Sequence, residues 1–298
     1  MTDTAMADLH TWILAVRPKT LPAAAGPVFV GTALAFSDQG LAILPALGSL
    51  CIAFLLQIGV NLANDFFDSI TGIDTRDRLG PTRVTQSGLI SPPAVKAAMW
   101  CVLALAMLLG LVLAMRGGWP VLIIGTACIL AALGYSGGPY PLASHGLGDL
   151  FVFIFFGLVA VGGTYYIQTL QLTWRVLAMA IMVGLPITAI IVVNNLRDVH
   201  TDHKAGKYTL AVLIGEKGSK LEYTLLLLSA FVIPFICWRI GWASAWILLT
   251  WLGFPWCWVL IRLVWNSPIS PALNSVLAKT AAFSLFYNTL LSVGIVLE

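Results

Sequence analysis

Charge is what this chain has least of. Lys, Arg, Asp and Glu make up only 10% of its 298 residues, against about 25% in a soluble domain. With 59% hydrophobic residues and a mean hydropathy of +0.92, too few polar groups remain to cover a water-facing surface, so an ordinary soluble domain is excluded. Cysteine is sparse and never spaced C-x-x-C: Cys51, Cys101, Cys128, Cys237 and Cys257 all lie in apolar runs. They read as small buried hydrophobes rather than disulfides or zinc ligands. Of the four histidines, only His200 and His203 stand together, in H-T-D-H; two imidazoles without a thiolate or a third imidazole are weak support for a transition metal. Secretory signal anatomy is missing as well: residues 1–11 are polar and slightly acidic, with no small-residue cleavage pattern after the first apolar run. The net charge of +3 gives no reason to expect a nucleic-acid partner.

What is present is a succession of apolar runs, each near the roughly 20 residues that cross a bilayer as a helix. Nine are read, at about 20–37, 43–64, 95–115, 119–136, 148–168, 175–194, 222–239, 242–264 and 275–297. The expected fold is an all-α integral membrane protein, a bundle of about nine transmembrane helices around a central cavity. With the N-terminus placed in the cytoplasm, Arg17, Lys19, Arg76, Arg78, Arg83, Lys96, Arg197, Lys204, Lys207, Lys217, Lys220, Arg262 and Lys279 fall inside, and Arg116, Arg175 and Arg239 outside. That partition, 13 of the 16 basic residues inside, follows the positive-inside rule and puts the C-terminus outside. The long or polar segments 66–94, 137–147 and 195–221 then all face the cytoplasm, and the cavity is expected to open there.

Two of those segments begin alike, N61-L-A-N-D-F-F-D68 and N194-N-L-R-D-V-H-T-D202. Each follows an even-numbered span, with four spans between them. The chain is therefore read as a single domain, 1–298, with a possible internal duplication of about 20–136 and 148–264. At about 100° per residue, Asn61, Asn64, Asp65 and Asp68 share one helical stripe, and Asn194, Asn195, Asp198 and Asp202 share another. Acid and amide residues at helix ends can simply cap or face water, and ionisable groups at membrane depth can serve ion-coupled transport. The doubling favours a different reading, because basic residues accompany both clusters: Arg76, Arg78 and Arg83 the first, Arg197, Lys204 and Lys207 the second. Carboxylates with amide oxygens suit Mg²⁺, and Arg and Lys suit phosphate. Over an apolar cavity, that set describes a lipid diphosphate site.

The stretches NLANDFFDSITGID, GPTRVTQSGLISP, YSGGPYPLASHGLGDL and NNLRDVHTDHKAGKYTLAVLIGEK resemble the UbiA superfamily of membrane prenyltransferases over nearly the whole chain. They are most similar to its menaquinone-pathway members. The resemblance implies Mg²⁺-dependent transfer of a polyprenyl group from polyprenyl diphosphate to a dihydroxynaphthoate, with loss of CO₂ and diphosphate, in a bacterial plasma (inner) membrane. Asp65, Asp68, Asp198 and Asp202 would hold the metal, supported by Asn61 and Asn64. Arg78, Arg83, Lys204, Lys207 and Arg197 would bind diphosphate. The acceptor would meet Lys19 or Arg17 in RPKTLP, with Tyr140, Asn194, Asn195 and Asp149 near it. Phe66, Phe67, Tyr135, Tyr140, Tyr165 and Tyr166 are candidate walls for an allylic cation. One departure stands out: the common N-D-x-x-D-x-x-x-D form has an acid where this chain has Gly72, and its next acid is Asp74. Superfamily members acting on 4-hydroxybenzoate or homogentisate, and an ion-coupled transporter, are the rival readings. CDP-alcohol phosphotransferases are disfavoured because D-G-x-x-A-R is absent.

Overall fold

The computed structural model describes residues 8–72 and 79–298, and Asp74, Arg76 and Arg78 lie outside the described residues. Helix α1 (Leu9–Val16) leads into α2 (Leu21–Ser37), followed by α3 (Ile43–Thr71), α4 (Pro92–Gly117), α5 (Trp119–Gly134), α6 (Gly148–Thr169), α7 (Trp174–Lys204), α8 (Leu210–Arg239), α9 (Ala245–Asn266) and α10 (Leu273–Val296). Among the described residues the only β pairing is a single bridge, His145 to Tyr208. Eight helical segments are long and apolar enough to cross a membrane, α1 and α2 being taken together, and α5 is a shorter apolar helix of 16 residues.

Local chemistry sets the ends of these elements. Asp8 caps α1 by accepting from the Thr11 N–H at 2.8 Å, and that bond with the Thr11 hydroxyl holds its carboxyl below the usual range. Thr173, Thr209 and Ser244 accept from backbone N–H groups at the starts of α7, α8 and α9. Gly118, at φ 70°, makes the sharp reversal between α4 and α5. Both acid-bearing helices stop at a left-handed glycine: Gly72 after α3 (φ 72°) and Gly206 after α7 (φ 72°). After α7 the stop is a full Schellman motif, with Gly206 N–H on the His203 carbonyl at 3.1 Å and Lys207 N–H on the Asp202 carbonyl at 2.9 Å.

Each of the nine expected apolar runs corresponds to a helix, with shifted ends, and the run at 119–136 is the shorter α5. α3 and α7 run on past their apolar stretches, through both acidic clusters, so these clusters ride on helix and not on loops. The segment 195–221, expected as a loop, is helical on both sides of a short turn, 205–209. α8 begins at Leu210 and kinks at Gly215 (φ 74°). Its first turns carry Glu216, Lys217 and Lys220, too polar for a hydropathy window to count as span.

α7 is the central helix. Of its apolar window 78% is buried, against 11% for α3 and 17% for α4, which leave their outer faces free for lipid. Gly157 of α6 meets Gly184 of α7 so closely that a Cβ on Gly157 would lie 2.9 Å from the Gly184 Cα. An aromatic cluster, Phe231, Trp251, Phe254, Phe283 and Tyr287, joins α8, α9 and α10. The antiparallel path brings the α1–α2 turn and the ends of α3 and α7 to one end of the bundle. There also lie 11 of the 14 described basic residues, the other three being Arg116, Arg175 and Arg239. At the opposite end Arg175 pairs with Asp38 (3.1 Å) and with Glu298, and Tyr165 donates to Asp38 at 2.6 Å.

Candidate active site

A cavity of about 290 Å³ opens among α2, α3, α5, α6, α7 and α10, with Asn61, Asn64 and Asp68 on one wall and Asn194, Asn195 and Asp198 on another. Arg17, Lys19, Arg83 and Lys207 also line it. Part of each acidic stripe therefore faces one space. Asp65 and Asp202 are not on its surface. Asp65 is 1% exposed, and its carboxylate accepts from the Val84 and Thr85 N–H groups at 3.2 and 3.1 Å. It fastens segment 79–91 to α3, and Val84 and Ile90 of that segment pack against Leu62, Phe66 and Met99. The fastened segment delivers Arg83, which donates to Asp68 Oδ2 at 2.9 Å. Asp202 lies behind the cavity wall, with Lys207 Nζ 3.7 Å from its Oδ1.

Arg197 turns inward. It is 1% exposed, it pairs with the neighbouring Asp198, and it donates to Asn274 Oδ1 at 2.7 Å and Asn194 Oδ1 at 3.0 Å. Asn274 in turn donates to the Leu79 carbonyl at 3.0 Å, so one amide ties α7, α10 and the segment after α3 together. Lys204, expected on phosphate, is exposed and off the cavity surface. Tyr140 is 58% exposed and stacks on His145 at 3.6 Å, outside the cavity. Asp149 is buried behind Asn195, whose Nδ2 donates to it at 3.4 Å. His200 and His203 are exposed, and His203 meets the edge of Tyr208.

Of the aromatic candidates, Tyr135 lines this cavity and Tyr166 an adjoining one. Phe66 is in the core under Lys96, Phe67 packs on Gly137, and Tyr165 is at the far end. The rest of the aromatic wall comes from Phe151, Phe155 and Phe156. A π-helical stretch, Phe153–Val159, widens the turn there, a feature frequent at functional sites. Its sequence signal is the phenylalanine run F-V-F-I-F-F. Thr20, Gln57 and Ser136 also line the cavity. Gln57 precedes Asn61 by one helical turn, so the α3 stripe could have been extended to it.

An apolar chamber of about 160 Å³ continues from this site. The two share Ala53, Leu56, Cys128, Phe155 and Ala160. Among the described residues no three Asp, Glu, His or Cys side chains converge to cage a metal. Oxygen donors from two facing helices fit a hard cation of another kind, one that takes one or two carboxylates and completes its shell with water and phosphate oxygens.

The model of the UbiA prenyltransferase family matches residues 24–287. The 1,4-dihydroxy-2-naphthoate octaprenyltransferase of Mycobacterium tuberculosis is 41% identical over 252 residues, covering 85% of this chain and 82% of the relative. The Escherichia coli protein of the same name is 35% identical over 304 residues, covering 100% and 99%. A UbiA homolog from Archaeoglobus fulgidus, bound to DMAPP and Mg²⁺, superposes with a TM-score of 0.66 at 13% identity over 96% of this chain and 99% of that one, a likeness of fold. With its cavity of paired acidic helix ends, the chain belongs to the UbiA prenyltransferase family.

Proposed function

We propose that this protein transfers a polyprenyl group from polyprenyl diphosphate to 1,4-dihydroxy-2-naphthoate, releasing diphosphate and CO₂ and giving demethylmenaquinone in its reduced form. The observation that carries the reading is the single cavity walled by Asp68 and Asp198, with Arg83 and Lys207 beside them and an apolar chamber beyond. Full-length relatives named for this reaction support the choice of acceptor.

In the reaction the allylic C–O bond breaks and its electron pair leaves with the diphosphate. Arg83 and Lys207 take up that growing negative charge, and preorganised groups of this type usually supply the largest share of catalysis. Asp68 and Asp198, helped by Asn64, would hold Mg²⁺, which when bound neutralises diphosphate charge as a Lewis acid. Asp65 and Asp202 act from behind, fixing the segments that carry Arg83 and Lys207. Tyr135, Phe151, Phe155 and Phe156 keep water from the allylic cation and offer it π faces. The ring carbon bearing the carboxylate attacks that cation, a C–C bond forms, and the carboxyl leaves as CO₂, returning its bonding electrons to the ring. Arg17 and Lys19, the cations nearest the α1–α2 turn, orient the carboxylate beforehand. The apolar chamber takes the polyprenyl chain. The gathering of basic residues at this end of the bundle supports reading it as the cytoplasmic side of a bacterial plasma membrane, by the positive-inside rule.

The test is product analysis with the purified protein, polyprenyl diphosphate and, in separate reactions, dihydroxynaphthoate, 4-hydroxybenzoate or homogentisate, with and without Mg²⁺. The expected result is diphosphate release and a decarboxylated prenyl product with the naphthoate alone, dependent on a divalent cation. Turnover with another acceptor would keep the diphosphate site and replace the acceptor. No turnover with any acceptor by folded protein would overturn the proposal.

A further inference from the structure

Beneath the α1–α2 turn lies a buried polar ladder that the diphosphate site does not use. Gln57 and Asn61, one turn apart on α3, are 8% and 4% exposed. Asn61 Nδ2 donates to the Val16 carbonyl at 2.9 Å and to Thr20 Oγ1 at 3.0 Å. Gln57 Nε2 donates to Thr20 Oγ1 at 3.2 Å and to Asn61 Oδ1 at 3.4 Å. The Thr20 hydroxyl donates its own proton to the Arg17 carbonyl at 2.9 Å. Both protons of the Asn61 amide are thus spent on the turn, and its oxygen accepts from Gln57.

The turn held this way is a demanding one. Arg17 sits at φ 55°, ψ 68°, a left-handed conformation that residues other than glycine seldom adopt and that persists where surrounding contacts enforce it, often at functional sites. The reversal at Arg17, followed by Pro18, is what lets Arg17 and Lys19 both reach the cavity surface. A flexible pair of cations would give up binding energy to be ordered by the substrate; a pre-set pair does not.

We infer that Asn61, Gln57 and Thr20 are positioning residues for the acceptor: they hold the Arg17-Pro18-Lys19 turn so that its two cations meet the aromatic carboxylate, and Asn61 is not a metal ligand. The inference rests on the reading that Arg17 and Lys19 receive that carboxylate. It assigns the first asparagine of NLANDFFD to the acceptor side of the site, while Asp68, two turns on, serves the diphosphate.

The experiment uses the full chain, with steady-state kinetics on Asn61→Leu, Thr20→Val, Thr20→Ser, Arg17→Ala and Lys19→Ala. Three quantities are read for each: KM for the naphthoate, KM for prenyl diphosphate, and the Mg²⁺ concentration for half-activation. Asn61→Leu and Thr20→Val are expected to raise the naphthoate KM about tenfold and to leave the other two unchanged. Thr20→Ser, which keeps the hydroxyl, should behave as the parent. Should Asn61→Leu fail to fold, the Thr20→Val and Thr20→Ser pair carries the test alone. A shifted Mg²⁺ requirement in Asn61→Leu would make Asn61 a metal ligand and overturn the inference. An unchanged naphthoate KM in Thr20→Val, with Arg17→Ala or Lys19→Ala raising it, would overturn the ladder and keep the carboxylate site. An unchanged naphthoate KM in both Arg17→Ala and Lys19→Ala would remove the carboxylate site and the inference with it.

Discussion

The two acid-bearing helix ends offer the same residue types to one cavity and are secured by opposite means. At the end of α3 the partners come from elsewhere in the chain: segment 79–91 folds back, gives Asp65 two backbone N–H groups and sets Arg83 on Asp68. At the end of α7 the partners are local. Arg197 holds the adjacent Asp198, and Lys207 reaches back to Asp202 across a Schellman turn. A helix end secured locally keeps its geometry whenever the helix forms. One secured by a distant segment depends on that segment being docked, which makes the α3 side the more sensitive of the two to changes outside it. Asn274, bonded to both Arg197 and the Leu79 carbonyl, is the one described residue that joins the two sides through its side chain amide.

Substitutions can break this comparison at different levels. The largest effect is expected where charge meets the diphosphate: Asp68→Asn and Asp198→Asn should each lower kcat by about 10³-fold with the protein still folded, measured as product formation at saturating substrates. Next comes Arg197→Met, which leaves the buried Asp198 carboxylate without its cation. A loss of about 3 kcal/mol of stability is expected, read as a lowered Tm in detergent, and an unchanged Tm would show that Asp198 does not need the pair. Arg83→Ala should act mainly on the donor, raising the KM for prenyl diphosphate by about tenfold or more and leaving the naphthoate KM alone. The smallest effect is expected for Gly72→Ala, a non-glycine side chain at φ 72°, costing about 1 kcal/mol. An equal cost for Gly206→Ala would show that the two helix stops are alike even though their acid partners are not.

Much of this arrangement was legible in the sequence, because it depends on periodicity. The helical stripes of Asn64 with Asp68, and of Asn194 with Asp198, follow from spacing alone, and both do face the cavity. Gly72, which stands where the family form carries an acid, ends α3 in a left-handed conformation, where an L-residue is strained. Spacing does not reveal depth or partner. It could not tell that Arg197 turns into the core to Asn274 while Arg83, fifteen residues from its acid, reaches Asp68. It could not place Tyr140 outside on His145, since nothing in YSGGPYP fixes which way a turn presents its ring. Hydropathy likewise missed the first turns of α8, whose charged residues conceal a helix that packing against the chain supports. Pro18 signals that α1 ends at Arg17, but nothing local signals the bonds from Asn61 to Val16 and Thr20, made across more than 40 residues of chain.

The central claim is that the two acidic ends act on one diphosphate as a unit, and a double-mutant cycle tests it most directly. Asp68→Glu and Asp198→Glu keep the charge and displace it, so residual rates stay measurable. The kcat/KM for prenyl diphosphate would be determined for the parent, each single variant and the double variant. If the ends share one diphosphate, the second substitution should cost far less than it does alone, leaving the double variant close to the worse single variant. Losses that simply multiply would mean two independent sites, and would contradict the account.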